Sequence, residues 1–145
     1  MATPTKFQDF VNQLALTKHN LNTDTWKCVL VPAANTPVVT NTILGNLTQI
    51  ASGNGYTTGG ENATRAMTYA TGTVTVKGTK IVWTATPAAM APFQYVVLYN
   101  DTQTSPVDPL IMWWDYGSAV TLQPGETFSV KFNNSDTDGT ILTLT

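Results

Sequence analysis

Between Phe93 and Asn100 the chain carries Tyr95-Val96-Val97-Leu98-Tyr99, an apolar run with no polar alternation. Successive side chains of a strand point to opposite faces, so such a run reads as a central strand of a sheet covered on both sides. Shorter period-2 runs surround it. Trp26, Cys28 and Leu30 alternate with Lys27, Val29 and Val31 until Pro32 stops the ladder. Further strands are predicted at 64–69, 73–77, 81–86, 110–116, 127–132 and 141–145. Turn signals at Thr71-Gly72, Lys77-Gly78-Thr79-Lys80, Gln123-Pro124-Gly125-Glu126 and 133–139 separate them. A spacing of about 8–12 residues without βαβ alternation predicts a mainly β fold, an antiparallel β-sandwich of immunoglobulin-like or jelly-roll-like type.

One segment departs from this period. Phe7, Phe10, Val11, Leu14 and Ala15 recur at helical spacing, with Thr3-Pro4 as an N-terminal signal and His19-Asn20 at the exit. The spacing predicts one N-terminal α-helix over 4–18, and a weaker pattern at 43–51 suggests a turn or two more. At 145 residues the chain makes one domain, 1–145, with the helix in 1–20 and the sandwich in 24–145.

Charged residues are only 11% of the chain and the net charge is −2, so the surface is written mainly in Thr, Asn, Ser, Gln and Gly. There is no basic footprint for nucleic acid or anionic lipid. The N-terminal segment contains polar and charged residues and reads neither as a signal-peptide core nor as a membrane span. Cys28 is the single cysteine, which excludes an internal disulfide framework and a Cys-rich zinc site.

The candidates for chemistry read better as structure. His19, the lone histidine, sits where a cation would meet a helix C-terminus. Cys28 alternates with apolar neighbours and reads as a buried, inert thiol. Asp101, Asp108, Asp115 and Glu126 could be drawn into a glycosidase pair, but they fall in turn-like sequence where carboxylates cap backbone. Gly53-Asn54-Gly55-Tyr56-Thr57-Thr58-Gly59-Gly60 lacks the lysine and the helix that a phosphate loop needs. The run 134–139 matches the front of a calcium loop, yet position twelve is Thr145. No catalytic, cofactor or metal residue is expected. Trp113-Trp114 places one indole on each face of a strand, one expected in the core and one at a surface that a partner covers.

Taken together, Asn22-Thr23-Asp24-Thr25-Trp26-Lys27-Cys28-Val29-Leu30-Val31, the Gly53–Gly60 block, the strand ending in Tyr99-Asn100-Asp101 and Pro109-Leu110-Ile111-Met112-Trp113-Trp114-Asp115-Tyr116-Gly117-Ser118 carry a resemblance. With the N-terminal amphipathic segment and a closing β-turn and strand, the chain resembles a family of small tailed-bacteriophage virion proteins over nearly its whole length. The resemblance implies a non-enzymatic structural component, a capsid decoration (cement) protein on the capsid exterior, made in the host cytoplasm. It implies the major capsid protein and copies of the chain itself as partners. A symmetric oligomer, a trimer foremost, is the expected form. A tail or fibre component is the alternative within that class, and a carbohydrate-binding module stacking sugars on Trp114, Tyr116 and Tyr56 the alternative outside it. Phe7, Phe10, Tyr56, Gly59, Gly60, Trp113, Trp114 and Tyr116 are the candidate protein-interface residues, although Phe7 and Phe10 could equally seal the sandwich of this same chain.

Overall fold

A computed structural model describes residues 2–63 and 65–145. The fold is mainly β, antiparallel throughout, with one helix, in a sandwich-like arrangement. The first layer is a five-stranded sheet in the order β1 (Pro4–Lys6), β8 (Leu110–Val120), β7 (Phe93–Asn100), β2 (Trp26–Val31), β3 (Glu61–Asn62). The second holds a three-stranded sheet, β10 (Asp138–Leu144), β5 (Thr73–Thr79), β4 (Arg65–Ala70), and a two-stranded one, β6 (Ile81–Thr84) with β9 (Thr127–Val130).

The strand 93–100 occupies the centre of the first layer, as its two-faced apolarity requires. Val96 and Leu98 point into the core between the layers, beside Trp26, Cys28, Leu30, Met112 and Trp114 and against Val76, Ile81, Trp83, Val130 and Ile141. On the opposite face Tyr95, Val97 and Tyr99 join Val29, Val31, Trp113 and Phe7, and the segment carrying Leu44 and Leu47 covers them. The expected helical turns at 43–51 reduce to a single 3-10 turn, Leu44–Asn46, which serves as this cover.

Further expectations change. The helix predicted over 4–18 is α1, Asp9–Ala15, because Pro4, Thr5 and Lys6 pair instead with Trp114, Trp113 and Met112. That pairing splits the apolar stripe: Phe7 enters the outer cluster, Phe10 enters the central core, and Val11 is left half exposed. The turn expected at 77–80 does not form, since Lys77, Gly78 and Thr79 continue β5. A Cβ on Gly78 would lie 2.7 Å from Ile141 and 2.8 Å from Phe132, so the glycine marks close packing rather than a turn. The predicted strand 127–132 stops at Val130, with Phe132–Asn134 a 3-10 turn. The predicted start of β4 at Thr64 lies outside the described residues.

Candidate assembly surface

Of the residues expected at an interface, five belong to this chain's own core. Phe7 (0% exposed), Phe10 (3%), Tyr56 (2%), Trp113 (8%) and Trp114 (1%) are closed to solvent. Trp113 packs on Phe7 with ring centroids 4.4 Å apart, and Trp114 on Phe132 at 5.8 Å. The expected surface indole is therefore corrected: the sheet is covered on both faces, so alternation sends one tryptophan into each cluster and neither outward. Tyr116 is half buried, edge-on to Phe128 at 5.1 Å, and burial pushes its phenol up to about 12. With Trp114 and Tyr56 inside, the proposed sugar-stacking platform has lost two of its three faces.

The glycine-rich loop is likewise held by the body of the protein. Tyr56 plugs the core, its hydroxyl donating to Gln49 Oε1 (2.7 Å) while accepting from the Leu30 amide (3.3 Å). The Gly59 amide donates to the same Gln49 oxygen, and the Gly59 carbonyl accepts from Tyr99 Oη at 2.9 Å. Gly60 has φ +70°, and a Cβ there would fall 1.9 Å from the Cys28 carbonyl oxygen; at Gly55 it would fall 1.9 Å from that of Thr84. These two glycines let the loop lie directly against strand backbone. Gly60 is thus explained by packing and Gly59 by its φ of +98°, and both remain only half buried.

Several of the acidic side chains have a local structural task. Asp115 accepts from the Gly117 amide (2.7 Å), Glu126 from the Gln123 amide (2.8 Å), and Asp101 pairs with Lys27 (2.8 Å). Burial raises the Asp108 carboxyl, with the Asp101 charge adding to it. Asp136, in the calcium-like run, is held below the usual carboxylate range by Lys131, 2.6 Å away. Burial raises the Cys28 thiol far above the ordinary thiol range, which suits the inert reading. A cavity of about 440 Å³ between Ala2–Pro4, Trp114, Asn133, Asn134, Thr140 and Ile141 is lined by uncharged residues.

Sequence reasoning gave His19 a helix-capping or surface role; the structure buries it, 4% exposed, beside Phe10 and Asn100. Asn100 Oδ1 accepts from the Thr102 amide, which turns its Nδ2 toward Asp24 Oδ2 (2.6 Å) and His19 Nδ1 (3.1 Å). Facing that donor, Nδ1 is an acceptor, so the imidazole is neutral. Burial lowers its pKa from 6.5 to about 4 despite the nearby carboxylates of Asp24 and Asp9. The native state therefore binds this proton more weakly than the unfolded chain. Stability is complete above pH 6.5 and declines as pH falls toward 4, by of order 2–3 kcal/mol. Urea titrations across that window are expected to show the decline in wild type and to lose most of it in His19→Gln.

Arg65 completes this cluster, donating to the Leu21 carbonyl (2.6 Å) and the Asp24 carbonyl and lying 5.5 Å from the Trp26 ring centre. It opens β4, where the surface changes character. Arg65, Met67 and Tyr69 share the side of β4 that pairs with Gly78, Val76 and Val74 of β5, the side turned to the core. Met67 and Val74 pack partly against that core, whereas Tyr69 is 70% exposed. The hairpin thus carries a core-side aromatic that the described residues leave largely uncovered.

The outer edge of β4 also differs from the other free edges among the described residues. β1, β3, β6 and β9 run four residues or fewer. The ladder of β10 is broken by a register shift between Thr140 and Leu142. Beyond β1, the pairing of β8 jumps from Tyr95–Asp115 to Phe93–Val120. β4 offers six residues in unbroken register with β5, no proline, and one charge at its start. Short length, bulges, prolines and charges are how folded proteins blunt an edge, and β4 uses almost none of them. Sequence reasoning missed it, because Ala66, Thr68 and Ala70 carry no conspicuous signal and Tyr69 reads as one more sandwich aromatic.

No family model, curated protein or solved structure matches the chain. Among the described residues no helix is long and apolar enough to cross a membrane.

Proposed function

We propose that this chain is a structural protein of a bacteriophage virion, a non-enzymatic decoration (cement) protein that binds the assembled head shell and stabilises it. The free edge of β4, long, unbroken and nearly uncharged, carries the assembly part of this reading. An extended edge of that kind adds strands from neighbouring chains through main-chain hydrogen bonds. The resemblance of the sequence to small tailed-phage virion proteins supports the capsid part. A surface of few charges, 11% of residues, supports both, because little charge has to be desolvated when it is covered.

On this reading the partners are the major capsid protein and other copies of the chain, on the capsid exterior. A protein that binds the assembled lattice better than its free subunits shifts the equilibrium toward the lattice. Purified protein added to capsids that lack it is expected to bind saturably and to raise the temperature at which the shells disrupt. No binding and unchanged heat resistance would refute the proposal, and binding to isolated tails instead would move the protein to the tail.

A further inference from the structure

We infer that β4 pairs antiparallel with β4 of a second copy, joining two three-stranded sheets into one of six strands, β10-β5-β4-β4-β5-β10. The inference rests on the assembly reading above and names the surface and its occupant. A strand edge meeting itself about a two-fold axis needs only one surface, so each residue that β4 offers meets one that β4 also supplies.

The side chains select the register. Directly opposed residues of an antiparallel pair lie on the same face, so a two-fold axis normal to the sheet must pass through a residue rather than between two. Centring it on Met67 would set Tyr69 opposite Arg65, whose guanidinium is already committed to the carbonyls of Leu21 and Asp24 and to the Trp26 ring. Centring it on Thr68 sets Met67 of each copy against Tyr69 of the other, on the core side. That covers the ring left 70% exposed, with the sulfur–aromatic contact such pairs favour. On the other face Ala66 meets Ala70 and Thr68 meets Thr68, small residues that let the backbones close. The two arginines fall at opposite ends of the new ladder, so no like charges face one another. This dimer replaces the trimer expected from the resemblance, which would need β4 to meet a different edge.

Light scattering on the purified protein without capsids, over rising concentration, is expected to approach twice the chain's 15.6 kDa. Tyr69→Lys, at a position already exposed, is expected to keep the circular dichroism of wild type and to raise the dimer dissociation constant at least about tenfold. Under mild oxidation Thr68→Cys is expected to form a covalent dimer, while wild type, whose Cys28 is fully buried, forms none. A protein monomeric at every concentration, a trimer, or crosslinking by Met67→Cys in place of Thr68→Cys would overturn the inference. Capsid binding is scored separately, so a monomer that still coats shells would defeat this pairing and leave the decoration reading standing.

Discussion

Trp114→Ala is expected to cost about 3–5 kcal/mol of folding stability, the usual range for removing a large aromatic from a closed core. Trp114 is 1% exposed, packs on Phe132, and backs the β1 pairing through Pro4. A cavity there weakens the contact between the first layer and the 3-10 turn that leads into β10. For a domain of this size that is a large part of its total stability. Urea or thermal unfolding of the variant measures the loss directly. A surface or sugar-stacking role for this indole predicts the reverse, near-normal stability with lost binding, so one experiment separates the two assignments.

Gly60→Ala carries the second large effect, expected at about 2–4 kcal/mol from backbone strain together with overpacking. The alanine must adopt φ near +70° and bring its Cβ to the Cys28 carbonyl oxygen at 1.9 Å, a clash that backbone has to move to relieve. Gly45→Ala is the control. Its Cβ would meet only the end of Ile43 at 3.6 Å, so stability should stay within about 0.5 kcal/mol of wild type. If both variants behaved alike, the close packing of the 53–60 loop on β2 would not be what fixes that glycine.

How much was legible beforehand depended on how local the signal was. The central strand announced itself because Tyr95-Val96-Val97-Leu98-Tyr99 can satisfy both its faces only inside a covered sheet. β2 ended where Pro32 removes a ladder donor, as predicted. The N-terminal helix was over-read, because nothing in Pro4-Thr5-Lys6 reports that β8, more than a hundred residues later, offers an edge to pair with. Gly78 was taken for a turn because glycine is ambiguous between turn and close contact until Ile141 and Phe132 arrive over it. His19 was given a capping or surface role for the same reason: its partners Asn100 and Asp24 come together only in the folded chain.

Five of the eight residues named for an interface lie in the core. Aromatic residues were chosen as contact residues, yet aromatics in a small sandwich are first consumed by its own core, as with Phe7, Phe10, Tyr56, Trp113 and Trp114. The residue that the core leaves over is Tyr69, on the core side of β4. Only the topology tells which strand ends at an edge, and only the edge makes Ala66, Thr68 and Ala70 informative.

The most direct test of the whole account is to titrate wild-type and Tyr69→Lys protein onto capsids lacking it, reading bound copies and shell heat resistance together. The account predicts saturable binding and a stabilised shell for wild type, with both reduced when Tyr69 becomes lysine. Shells that neither bind the wild-type protein nor gain heat resistance would contradict it.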